Sequence, residues 1–165
     1  MRGLSILLAG MGLTLVPAIT IAAEFTAETD SAIEACVTAA VDKLPGIVTG
    51  WRIDGATIRV NVLATNNRVW ELGCSNGAIV SERSTSGSGE YQTVRARVMA
   101  SERLARQTAA ATYPKGDLFQ MKYGRTWKGK IYYTYTLRLP DGREALVQVN
   151  SATGRVDETS TERKS

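Results

Sequence analysis

An α+β fold of two tandem units, each one helix packed on a small antiparallel sheet in the order α-β-β-β, is what the sequence predicts. Three observations carry that expectation. A stripe of helical period ends at Leu44-Pro45-Gly46 and is followed by strands of period two that close on a turn at Gly77. The same order recurs from Ser101 through Tyr113-Pro114-Lys115-Gly116 to a turn at Gly154. Between them, Ser84-Thr85-Ser86-Gly87-Ser88-Gly89 has the composition of a flexible linker. The expected organisation is an export leader at 1–23, a first unit at 24–83, a linker at 84–92 and a second unit at 93–165.

The leader is read from Arg2, the nearly uncharged stretch from Leu4 to Val16, and Ala22-Ala23 just before the first acidic residue, Glu24. Cleavage after Ala22 or after Ala23 leaves Thr20 or Ile21 at the third position back, so neither site has the ideal small-x-small pattern. A retained anchor is the alternative, because a span needs about 20 apolar residues. Gly10, Gly12 and Pro17 favour the leader. The first cysteine, Cys36, comes too late for a lipidated leader. Periplasmic or secreted localisation follows, with no stable membrane span after cleavage.

Net charge falls from +4 to +3 when Arg2 leaves with the leader. That balance is mildly basic, and Arg95, Arg97, Arg103 and Arg106, like Lys122, Arg125, Lys128 and Lys130, read as solvated faces rather than the dense basic stripe of a nucleic-acid binder. No nucleic acid is expected as a partner.

In the first unit, Ser31 and Glu34 read as a capping box, with Ile33, Cys36, Val37, Ala40, Val41 and Leu44 on one stripe. Trp51 and Ile53, then Ile58, Val60 and Val62, then Trp70, Leu72 and Cys74 alternate as three strands whose apolar face meets that stripe. Two cysteines in an exported chain allow one intramolecular pairing, and both point to the same layer. A Cys36 to Cys74 disulfide is therefore expected. In the second unit Ser101 is the N-cap of a helix through Leu104, Ala105, Thr108 and Ala109. Phe119, Met121 and Tyr123 alternate as its first strand, Ile131 to Leu139 as a long second strand, and Ala145, Val147 and Val149 as a third after Pro140-Asp141-Gly142.

The second unit, from about residue 98 to 160, resembles a PepSY domain. The resemblance rests on a helix entered by Ser101-Glu102 and ended by Tyr113-Pro114-Lys115-Gly116, and on the closing run Glu144-Ala145-Leu146-Val147-Gln148-Val149-Asn150-Ser151-Ala152-Thr153-Gly154-Arg155-Val156. The first unit is similar more weakly, through Leu44-Pro45-Gly46 and Ser75-Asn76-Gly77. The resemblance implies an exported, noncatalytic module that restrains peptidases or regulates events near the cell surface. It transfers no catalytic residue, cofactor or metal ligand.

The chain has no histidine, which removes the commonest general base and the His-dependent nucleophile systems. No catalytic, cofactor or metal site is expected. A binding role is expected instead, with Tyr123, Arg125, Trp127, Tyr132, Thr134, Thr136 and Arg138 as the candidate partner surface, since Tyr, Trp and Arg dominate interface hot spots. The expected partner is another protein, either a peptidase or an envelope complex in which this chain is an accessory or assembly subunit.

Overall fold

A computed structural model describes residues 27–126 and 128–163; the expected leader and Trp127 lie outside them. The elements are α1 (Ala27–Lys43), β1 (Gly46–Asp54), β2 (Thr57–Ala64), β3 (Arg68–Ser75), β4 (Ala78–Ser88), α2 (Tyr91–Arg95), α3 (Glu102–Thr112), β5 (Asp117–Arg125), β6 (Ile131–Arg138), β7 (Arg143–Asn150) and β8 (Val156–Arg163).

The expectation of two separate helix-on-small-sheet units is wrong. Among the described residues the strands form one eight-stranded antiparallel sheet in the order β4-β3-β2-β1-β5-β6-β7-β8. The join is made by β1 and β5, through Gly50 opposite Lys122, Trp51 opposite Met121 and Arg52 opposite Gln120. Two isolated four-stranded sheets would each expose the unpaired amides and carbonyls of an inner edge, and pairing those edges satisfies both. The same join buries Trp51 to 1% exposure, at a gain of roughly 1.5–3 kcal/mol by analogy with other large apolar side chains.

Segment 84–92 is not a free linker either. Ser84 to Ser88 continues β4, with Ser84 opposite Trp70 and Ser88 opposite Arg68, and the Thr85 hydroxyl donates to the Val69 carbonyl at 3.0 Å. Ladder hydrogen bonds to β3 outweigh the weak strand propensity of serine and glycine, which an edge strand tolerates.

Both long helices lie on one face. α1 packs across β1 to β4, and α3 on β6 and β7. Ile33, Cys36 and Ala40 of the α1 stripe are buried, as are Ala105 and Ala109 of α3, against Trp51, Val60, Leu72, Tyr135 and Val147. Cys36 and Cys74 are bonded across this layer with Cα atoms 5.6 Å apart, so α1 is tied to β3. A disulfide of this kind belongs to an extracytoplasmic protein.

Three local expectations are corrected and a fourth holds. α1 begins at Ala27, so Ser31 lies inside it and Glu34 does not close a capping box. A bulge between Leu118 and Gln120 makes Leu118, not Phe119, the core partner of Met121. Leu104 points outward, whereas Arg106 is wholly buried. Ser101 does cap α3, accepting a hydrogen bond from the Leu104 amide at 3.2 Å.

β1 and β5 diverge beyond their short pairing, and α2 fills the gap. Tyr91 and Val94 of α2 form a second cluster with Leu63 of β2 and Ile131 of β6, flanked by Ile47, Val69 and Tyr123. No described helix is long and apolar enough to cross a membrane.

Candidate functional site

Cross-strand neighbours share a face of a sheet, so the ladder registers define what the side away from α1 and α3 displays. From β4 to β6 they place Ser81 and Arg83, Glu71 and Gly73, Arg59 and Asn61, Gly50 and Arg52, Gln120 and Lys122, and Thr134 and Thr136 on it. This open face is mostly polar because period-two alternation sends most apolar partners, such as Val60 and Trp51, to the helix side; Leu63, Val69 and Leu146 stay on it.

Four of the expected partner residues lie here. Tyr132, Thr134, Thr136 and Arg138 alternate along β6 on the open face. The Tyr132 ring covers Gly124, where a Cβ would meet ring atoms at 2.5 Å, so a larger residue there would displace the ring. The Arg138 guanidinium sits 4.9 Å from the Phe119 ring centroid, a cation–π contact that holds its long side chain against the sheet. Tyr123 and Arg125 do not join this set. They oppose Tyr133 and Ile131, on the helix side, and line a hollow of about 330 Å³ beside α2 together with Leu63, Val69 and Val94. Burial raises the Tyr123 phenol above its usual value, with Arg125 and Arg97 opposing the shift. Trp127 lies outside the described residues.

Sequence reasoning missed the part of the open face at the β1–β5 join. A hollow of about 170 Å³ there is lined by Gly50, Arg52, Arg59, Asn61, Glu71 and Lys122, among others. It adjoins a hollow of about 460 Å³ over β2, β3 and β4, with Arg59 and Glu71 common to both. Arg59 bridges Asp54 at 2.9 Å and Glu71 at 3.4 Å, and Arg83 reaches Glu71 at 2.9 Å. The alternation of Arg52 with Trp51 and Ile53 was the available signal, but only the register shows that Arg52 faces Arg59 directly.

It also missed a buried ionic knot on the helix side. Arg106 of α3 is fully buried and is surrounded by three carboxylates. Its Nη2 donates to Glu34 Oε2 of α1 at 2.6 Å. Its Nε lies 2.9 Å from Asp30 Oδ1 and its Nη1 3.5 Å from Glu102 Oε2; both approaches are off-axis and act as ion pairs rather than aligned hydrogen bonds. Glu102 Oε1 accepts from Trp51 Nε1 at 2.8 Å, and the Tyr135 hydroxyl donates to the Glu102 carbonyl at 3.2 Å. Burial raises the Glu102 carboxyl above its ordinary value against the lowering pull of Arg106. Burial first, then the Glu102 charge, pushes the Tyr135 phenol well up. A perturbed carboxyl in a cleft is one signature of catalysis. Here Oε1 faces Trp51 and Tyr135 and Oε2 faces Arg106, so the carboxyl links α3 to β1 and β6.

Among the described residues no cluster of three His, Cys, Asp or Glu side chains could hold a metal ion. No family model and no curated protein matches the chain. A crystallised Clostridium difficile 630 protein described as a "putative lipoprotein" is similar at 14% identity and a TM-score of 0.48, over 84% of this chain and 95% of that one.

Proposed function

We propose that the chain is an exported, noncatalytic binding protein of the periplasm or extracellular space that occludes or restrains a protein partner with the open face of its sheet. The observation that supports this reading best is the division of labour between the two faces. α1, α3 and the disulfide stiffen one side, while the other presents a broad polar surface with two adjoining hollows over β4 to β5. A rigid sheet holds its side chains in place before contact, which lowers the ordering cost of association. The resemblance of residues 98–160 to PepSY domains supports a peptidase as the partner, and the absence of histidine agrees with a noncatalytic role.

Photo-crosslinking in the cell envelope tests this. A photoreactive residue replacing Arg52 or Thr134 sits on the open face, and one replacing Arg103 sits on the exposed side of α3. Capture of a single protein from positions 52 and 134, but not 103, is expected. A captured peptidase should then be inhibited by the purified chain; a captured membrane assembly with undiminished activity would replace restraint by an accessory-subunit role. Adducts from position 103 alone would reject the open face.

A further inference from the structure

The charges of the open face are not balanced where they lie closest together. Arg52 of β1 and Arg59 of β2 are directly opposite each other in the ladder, on the same face. Like charges in that relation destabilise a sheet unless something neutralises them. What the chain supplies falls short. Asp54 is 2.9 Å from Arg59 but 3.9 Å from Arg52, and Glu71 is divided between Arg59 and Arg83. Lys122 lines the same hollow and has no ion-pair partner among the described residues. The two hollows therefore gather four cations, Arg52, Arg59, Arg83 and Lys122, around the carboxylates of Asp54 and Glu71; Glu82 at the rim is already bridged to Lys43 at 3.0 Å.

We propose that this trough at the β1–β5 join recognises an extended acidic segment of a protein partner, its carboxylates received by Arg52, Arg59 and Lys122. The proposal rests on the binding role proposed above and names the chemistry of the partner. Geometry favours a segment with alternate acidic residues. In the β1–β5 ladder Lys122 opposes Gly50, two residues from Arg52, and such diagonal neighbours lie about 7–8 Å apart. Alternate side chains of an extended strand repeat at about 6.6–6.8 Å, twice the rise per residue. Gly50, opposite Lys122, adds no side chain to the floor, and a Cβ there would already crowd the Met121 carbonyl oxygen at 3.2 Å and the Asn61 side-chain Nδ2 at 3.4 Å. Asn61 and Gln120, at the margin of the same hollow, offer amide donors to the segment's backbone.

Asp54 and Glu71 apart, the acidic residues described on the open face stand outside the trough: Asp117 of β5 is opposite Arg138. Glu144, Glu158 and Glu162 lie on the same face, but on β7 and β8, at least three strand spacings from β1, or about 14 Å. They would serve a second copy, which the experiment must separate from a foreign partner.

The test uses the mature protein and a labelled octapeptide alternating Glu and Thr, with blocked ends, against the same peptide carrying Lys for Glu. Fluorescence anisotropy should show binding of the Glu peptide only, weakening as salt is raised from about 50 mM to 0.5 M because the contacts are solvent-exposed. Arg52→Glu and Lys122→Glu should each weaken it by about fivefold or more, since removing one exposed charge pair is worth up to about fivefold before repulsion is added. Arg103→Glu, which makes the same change in net charge on α3, should leave it within about twofold. Equal binding of the Lys peptide, no binding of either, or an equal loss in Arg103→Glu overturns the proposal. So does a dimer in sedimentation that dissociates on Glu158→Lys with Glu162→Lys while the peptide stays unbound; that result assigns the trough to a second copy. Failure of the peptide with continued photo-capture from Thr134 removes the acidic segment and leaves the open-face reading standing. Loss of capture removes both.

Discussion

Replacing Arg106 by methionine probes the buried ionic knot, and its cost can be worked from the contacts. The guanidinium is wholly buried and faces Asp30, Glu34 and Glu102, whose side chains are 26%, 37% and 9% exposed. Glu34 keeps enough water to be screened and contributes little. Glu102 carries most of the cost: without the cation it is a desolvated carboxylate held only by Trp51 and Tyr135. Breaking one side of a buried pair costs about 3–5 kcal/mol, a large share of the ~5–15 kcal/mol available to a domain. The effect must depend on pH with a defined sign. The folded pKa of Glu102 is already raised by burial, so its proton-linked stabilisation is complete below the ordinary carboxylate value and is lost as pH rises through the folded value. Loss of the Arg106 charge moves that folded value further up and widens the window. Urea unfolding of Arg106→Met should therefore show a deficit of about 3–5 kcal/mol near pH 7 that narrows toward pH 5, and adding Glu102→Gln should recover part of it. A deficit below about 1 kcal/mol, the worth of an exposed pair, or one that does not change with pH, would refute the assignment of Arg106 and Glu102 as a buried, coupled pair.

Three further outcomes are expected. Replacing both Cys36 and Cys74 by serine should cost about 3–4 kcal/mol in the chain-entropy account of a crosslink with a sequence separation of 38, read by denaturant melts; an unchanged midpoint would contradict a stabilising bond. Gly46→Ala should cost about 1–3 kcal/mol, because its Cβ would lie 2.5 Å from the Leu63 carbonyl oxygen, an immovable backbone atom. Gly73→Ala meets chiefly the Ser81 hydroxyl, which can rotate away, and should cost clearly less; a reversed order in thermal melts would contradict the packing at these two strands. Limited proteolysis should spare Ser84 to Ser88, paired to β3, until the sheet opens, whereas a first cut there would contradict the extension of β4.

The parts of this fold legible in the sequence are those written in local period. Ile58, Val60 and Val62, and Trp70, Leu72 and Cys74, alternate and are found on the helix side; Ile33, Cys36 and Ala40 mark the buried stripe of α1. Compartment and parity together located the disulfide. The β1–β5 pairing was not legible because it joins residues about 70 positions apart and nothing local specifies which edges meet; Trp51 alternates as well in a free strand as in a central one. Ser84 to Ser88 misled because composition records propensity, whereas an edge strand is set by the ladder beside it. Arg106 had a signal that went unused. Glu102, Ala105, Arg106 and Ala109 fall at helical spacings of three and four, so a charge pair shares the stripe of the two buried alanines. The candidate face was half legible: period two grouped Tyr132, Thr134, Thr136 and Arg138 correctly, but Tyr123 and Arg125 belong to the opposite side, and the trough over Gly50 needs the register of three separated strands.

One continuous sheet gives the two halves a common open face. Cross-strand nuclear Overhauser contacts in the mature protein test it most directly, because Trp51 opposite Met121 brings together backbone protons that no arrangement of two independent units would juxtapose. Alpha-proton or amide contacts between residues 50–52 and 120–122 are predicted, with the amides of both halves lost together on unfolding. Absence of those contacts, alongside intact β1–β2 and β5–β6 ladders, would contradict the single sheet and the trough built across its join.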